Sequence, residues 1–195
     1  MTDPKLHHYV PQFYLRRFTD SAERLWVWDT TSDRMFRTQP KAVAAESNFY
    51  QLPQLIEYGH NSLEMEKQFA DLEGQVSAIT GQWLDWVRSG HPGDLLPVPT
   101  VNREIISQFL ALQSLRTADA RAILVAFSAL HGYQAESEED VRALHAAVLW
   151  DDALISSYAD RVSRCTWLFA LNLTSSPFVT SDNPLAFRSP AIGLG

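Results

Sequence analysis

Residues 62–89, SLEMEKQFADLEGQVSAITGQWLDWVRS, place apolar side chains at Met65, Phe69, Leu72, Val76, Ile79, Trp83 and Val87. Steps of three and four put these on one helix face, so the spacing predicts a long amphipathic helix. Asn61 is its expected N-cap, with Glu64 three residues on, and the Ser89-Gly90-His91-Pro92-Gly93 break ends it. After a Pro-punctuated connector, a second helical stretch runs over 100–132 with Ile105, Ile106, Phe109, Leu110 and Leu112. Arg116-Thr117-Ala118-Asp119 is a place for it to kink or split. A third helix is expected from the Ser137-Glu138-Glu139-Asp140 capping signal through Leu144, Val148, Leu149, Leu154, Ile155 and Tyr158.

Strand signals flank this helical middle. Leu25-Trp26-Val27-Trp28-Asp29 and Arg34-Met35-Phe36-Arg37 surround a polar turn and predict a β-hairpin. Thr166 to Asn172 and Phe178 to Thr180 also read as strands. The expected fold is α+β and predominantly α-helical: a long-helix bundle packed on a small antiparallel β layer formed by N- and C-terminal segments. At 195 residues, one domain over 1–195 is expected.

Composition excludes several classes. No run approaches the roughly 18 apolar residues of a membrane span. The N-terminus lacks the basic and apolar regions of a secretory signal, and the lone Cys165 cannot form an internal disulfide, so the cytoplasm is the expected location. The net charge is −7, yet residues 1–41 carry seven Lys or Arg against five acids, while the remainder carries nine against 18. An acidic body argues against broad nucleic-acid adhesion, whose affinity comes from phosphate neutralisation. A nucleotide or nucleic acid at a local basic site remains open as a partner.

Two end motifs carry the resemblance to a known family. His7-His8-Tyr9-Val10-Pro11-Gln12-Phe13-Tyr14-Leu15-Arg16-Arg17-Phe18 opens the chain, and Phe178-Val179-Thr180-Ser181-Asp182-Asn183-Pro184 lies near its end. With Glu46-Ser47-Asn48-Phe49-Tyr50, the acidic helix bearing Glu66 and Glu73, and Phe109 to Thr117 between them, the chain resembles the bacterial DUF4238 family over nearly its whole length. The resemblance implies further strand-like sequence after the Ser-Asp-Asn-Pro turn, so the chain reads as C-terminally short. A β layer built from both ends would bring the two motifs together.

Gln113 and Arg116 stand out independently of that resemblance. At about 100° per residue from Ile105, Phe109 falls near about 40°, Gln113 near about 80° and Arg116 near about 20°, all inside the apolar arc. A buried guanidinium needs a partner, so Arg116 meets an internal acid such as Asp182 or Glu73, backbone carbonyls, or a ligand anion. His8 suits general acid–base work because imidazole titrates near working pH, or it is a structural histidine; His7, facing the other way on an extended chain, is expected to be solvated. Tyr9, Phe13, Tyr14 and Phe18 are core or a stacking platform. Asp182-Asn183-Pro184 is a turn signal, or Asp182 orients His8, binds a metal or pairs with Arg116 while Ser181 and Asn183 donate. Glu66 and Glu73, on one side of the helix, are a solvated flank or an acidic ridge for a divalent metal.

No Gly-rich phosphate loop, nucleophile elbow or His-Glu-x-x-His segment occurs, and one cysteine excludes a cysteine-rich zinc site. His7-His8 before Pro11 is similar to the start of an HNH nuclease motif, but Asn48 and His60 fall at the wrong separations. Two functions remain. The first is a hydrolase or nuclease-like enzyme acting on a phosphate-bearing substrate, in a toxin or phage-defence setting. His8 and Asp182 would be catalytic, and Tyr9, Gln12, Arg16, Gln113, Arg116, Ser181 and Asn183 would bind substrate, with the metal identity, if any, unassigned. The second is a non-catalytic binding or interaction module whose polar residues form a structural buried network.

Overall fold

The computed structural model of the chain describes residues 6–47, 49, 64–91 and 93–186. Strand β1 (Leu6–His8) leads into a short helix, α1 (Gln12–Leu15), and a 3-10 turn (Arg16–Phe18). Strands β2 (Leu25–Asp29) and β3 (Arg34–Thr38) follow, then a 3-10 turn (Pro40–Ala42) and β4 (Ala45–Ser47). Among the described residues five helices follow: α2 (Glu64–Ser89), α3 (Thr100–Leu115), α4 (Ala118–Leu130), α5 (Glu138–Leu149) and α6 (Asp152–Arg164). The architecture is α+β and helix-dominated, with two separate two-stranded antiparallel sheets, β1–β4 and β2–β3.

Local chemistry accounts for most of the boundaries. The β2–β3 hairpin pairs Leu25 with Thr38 through Asp29 with Arg34, and Asp29 Oδ1 accepts from the Thr31 and Ser32 amides in its turn. The stretch 100–132 splits where expected: Thr117 Oγ1 accepts from the Ala120 amide at 3.2 Å and starts α4 afresh. The capping box of α5 forms, with Ser137 and Asp140 satisfying each other's backbone amides. The expected third helix breaks at Trp150–Asp151, because the Asp151 side chain accepts from the Leu154 amide and caps α6. The Asn61 cap lies outside the described residues.

The helical stripes close two adjoining core clusters. Val76 and Trp83 of α2 meet Ile106 and Phe109 of α3, while Met65, Phe69, Ala111, Leu112, Ala146, Leu149 and Ile155 bring α2, α3, α5 and α6 together around Phe49. A third cluster, Val10, Leu15 and Leu25, roots the N-terminal motif under the hairpin.

The expected β layer needs one correction. Among the described residues the four strands all come from 6–47, and no ladder forms at 166–172 or 178–180. Several of the apolar side chains in these stretches are instead exposed, Leu168 and Val179 each at 89%. With both sheets closed within the first 47 residues, the C-terminal segment is held by side chains. Trp167 and Phe169 meet Trp83 edge-on at 5.8 and 5.5 Å, and Arg103 reaches the Ser163 and Cys165 carbonyls while its guanidinium lies over Trp167. The Tyr14 hydroxyl and Thr180 Oγ1 are 2.9 Å apart. The two end motifs therefore approach each other through a side-chain contact. Among the described residues no helix is long and apolar enough to cross a membrane.

Candidate functional site

The N-terminal motif has an inner face tied to the helices and an outer face that borders a cleft. On the inner face, two polar side chains at the C-terminal end of α3 grip successive carbonyls: Nη2 of the C-cap residue Arg116 donates to the His8 carbonyl at 2.7 Å, and Gln113 Nε2 donates to the Tyr9 carbonyl at 2.9 Å. Arg116 Nη1 also pairs with Glu73 Oε1 at 2.8 Å, and its guanidinium lies 4.6 Å from the centre of the Phe69 ring. The guanidinium is 3% exposed, so water contributes almost nothing to its solvation and these protein acceptors replace it. Of the two internal acids the periodicity allowed, the structure pairs it with Glu73.

Glu66 lies one helical stretch away on the same side of α2. Its Oε2 is buried without a hydrogen-bond partner, as is Gln113 Oε1. Burial pushes the Glu66 carboxyl above its usual 4.5, against the pull of the Arg116 charge, and Glu73 adds to the rise.

On the outer face, the half-buried His8 ring is held at both nitrogens. A carbonyl can only accept, so the 3.2 Å contact from Nε2 to the Lys41 carbonyl places the ring proton on Nε2. Nδ1 then carries the lone pair and accepts from Gln12 Nε2 at 3.5 Å. Burial lowers the His8 pKa below 6.5, outweighing the Lys41 carbonyl and the Glu73 charge that raise it. Gln12 Oε1 in turn accepts from Arg16 Nη2 at 3.4 Å. Gln12, Arg16, Thr19, Glu23, Gln39, Pro40 and Lys41 line a cleft of about 310 Å³. Among the described residues, neither Arg16 nor Lys41 forms an ion pair.

The C-terminal motif is placed differently. Ser181 Oγ donates to the Asn183 carbonyl at 2.7 Å and accepts from the Asn183 amide at 3.2 Å, which makes these residues a local turn. Asp182 is exposed, and among the described residues it forms no ion pair with Arg116 or His8. Its charge does reach Tyr9, where burial first and Asp182 second raise the phenol pKa. The structure thus brings His8, Gln12 and Arg16 together and places the Asp182 turn near Tyr9. It sets Gln113 and Arg116 behind the backbone of the same motif. Among the described residues no group of three or more His, Cys, Asp or Glu is arranged to hold a metal.

Two histidines differ from the sequence reading. His7, expected in solvent, is fully buried, because β1 pairs with β4 and turns that side of the strand inward. His145 was not singled out at all, yet it is 2% exposed, donates from Nε2 to the Leu115 carbonyl at 2.7 Å and meets Phe49 edge-on at 5.4 Å. Its signal was its position one turn before Leu149 on the buried stripe of α5. Arg121 forms a two-pronged pair with Glu46 at 3.1 and 2.6 Å, and its guanidinium lies over the Phe49 ring, 4.3 Å from the ring centre.

Burial holds His145 below its usual 6.5, as it does His8. The unfolded chain takes up protons below about pH 6.5 that the folded chain refuses, so stability present above that pH is lost as pH falls toward the folded values. Glu66 acts oppositely: its raised pKa makes the folded state lose stability as pH rises through the window above 4.5. The urea midpoint is therefore expected to drop between about pH 7.5 and about 5.5, and to drop less in His145→Gln; an equal drop in both proteins contradicts the assignment.

Compared with curated proteins and with solved structures, the chain finds no match. A family model described as a protein of unknown function, DUF4238, matches residues 6–192. With nearly the whole chain matched, and with the inner ties and the outer cleft both built on the motif that opens the match, this protein belongs to the DUF4238 family.

Proposed function

We propose that the chain binds a small phosphate-bearing ligand in the cleft between α1 and the 40–42 turn, and that Gln113 and Arg116 position the motif from behind without touching the ligand. The observation that carries this reading is the pair of cations, Arg16 and Lys41, that line one cleft without acidic partners among the described residues. A phosphate satisfies both charges, and the Gln12 and Gln39 side-chain amides supply neutral donors around it. Glu23 on the rim and the acidic body favour a mononucleotide or phosphate monoester over a long polyanion. The single cysteine suits a reducing compartment such as the cytoplasm.

Isothermal titration with inorganic phosphate and with nucleoside mono- and diphosphates tests this. Arg16→Ala and Lys41→Ala are each expected to weaken binding by about 10- to 100-fold, the usual worth of a charge-assisted hydrogen bond. Absence of binding to the parent, or binding unchanged in both variants, contradicts it.

A second reading, hydrolysis of the bound ester, is favoured by one observation: His8 presents a neutral ring whose Nδ1 lone pair faces Gln12 at the wall of the cleft. Were Gln12 to swing aside, Nδ1 could take a proton from an attacking water. Release of phosphate by the parent and its loss in His8→Asn, with binding retained, supports this reading over simple binding.

A further inference from the structure

Helix α4 runs thirteen residues without one buried side chain. From Ala122 through Leu130 it carries no charge, and its exposed positions all fall on one arc. Ile123 is 69% exposed, Phe127 58% and Leu130 84%, with the smaller Ala122, Ala126 and Ala129 beside them. Steps of three, four and seven make these six residues a continuous stripe about 160° wide. Scattered exposed apolar residues are ordinary, but an uncharged stripe along two and a half turns marks a contact surface.

We propose that this stripe pairs with the same stripe of a second copy, α4 against α4, antiparallel about a two-fold axis. Three features favour a second copy as the occupant. The stripe has no charge for a differently charged partner to complement, so the surface that matches it best is itself. Asp119, the one charged residue on the exposed arc, lies at the N-terminal end; antiparallel pairing carries it to the C-terminal end of the other helix, opposite the partner's His131. That arrangement also opposes the two helix dipoles. In this chain, His131 is held at its end of the stripe by a 2.9 Å bond from Nδ1 to the Phe127 carbonyl and by its ring, 4.3 Å from that of Phe127. Covering the six residues removes about 500 Å² from each copy and about 1,000 Å² in total, the lower limit for a specific interface. The remaining charged residue of α4, Arg121, faces away and is occupied by Glu46.

Sedimentation equilibrium of the purified chain tests the proposal. The parent is expected to change from 22.1 kDa to twice that mass with a dissociation constant in the micromolar range. Ile123→Glu, which sets two carboxylates against each other near the axis, is expected to weaken association about 100-fold or more while leaving the melting temperature of the dilute monomer unchanged. In a Cys165→Ser background, Ala126→Cys is expected to form an intermolecular disulfide under mild oxidation. A parent that stays at 22.1 kDa up to about 200 µM overturns the proposal, as does a dimer that persists in both Ile123→Glu and Phe127→Glu.

Discussion

Arg116→Ala is expected to destabilise the folded chain by about 3–5 kcal/mol, the usual penalty for removing one partner of a buried ion pair. For a chain of this length that lowers the melting temperature by roughly 10–15 °C. Among the described residues, the part-buried Glu73 carboxylate loses its counter-charge, the His8 carbonyl loses its donor, and the Phe69 ring loses the guanidinium above it. Arg116→Lys keeps the charge but cannot donate in two fixed directions, so an intermediate loss is expected. The coupling can be measured directly. If Arg116 acts through Glu73, the double variant Arg116→Ala, Glu73→Gln loses less than the sum of the single changes in urea unfolding; strict additivity contradicts the pairing.

The second large effect is expected at Trp83. The ring is 6% exposed, packs against Val76, Ile106 and Phe109, and receives Trp167 and Phe169 edge-on. Trp83→Ala is expected to cost about 3–5 kcal/mol through the cavity it leaves. It should also loosen the segment after α6 at 167–169, where that ring and Arg103 hold it. Limited proteolysis should then cut between residues 166 and 180 faster than in the parent. Trp83→Phe separates volume from polarity: the indole N–H is buried without a partner, so replacing it by a phenyl ring is expected to cost less than about 1.5 kcal/mol. A loss as large as that of the alanine variant would mean that Nε1 has a partner the packing conceals.

These cases show which features are legible in the sequence. The stripe of α2, the hairpin, the Ser137 capping box and the split before α4 are encoded within a few residues of each other, and each forms as read. The inward placement of Gln113 and Arg116 follows from helical period alone, but choosing Glu73 over Asp182 required knowing how α2 lies against α3. Strands β1 and β4 are three residues each and nearly forty apart, so no local pattern announces them. That pairing turns His7 inward, since alternation separates the two faces of a strand without saying which one is covered. The same limit applies at 166–172 and 178–180, where a strand-like pattern does not say whether a partner strand lies alongside, and these residues join neither sheet. In the cleft, Gln12 and Arg16 were visible as members of the opening motif. Lys41 and Gln39 were not, because they reach it only through the turn that follows the hairpin.

In the proposed site labour is divided: Arg116 holds the N-terminal motif from within, and Arg16 and Lys41 are to meet a phosphate from outside. Thermal unfolding of the parent, Arg116→Ala and the double variant Arg16→Ala, Lys41→Ala, each with and without millimolar phosphate or nucleotide, tests both halves at once. The expected result is a parent stabilised by the anion, an Arg116→Ala protein that unfolds well below it, and a double variant that folds like the parent but gains nothing from the anion. An Arg116→Ala protein as stable as the parent that alone loses the anion effect would make Arg116 the clamp and contradict the account.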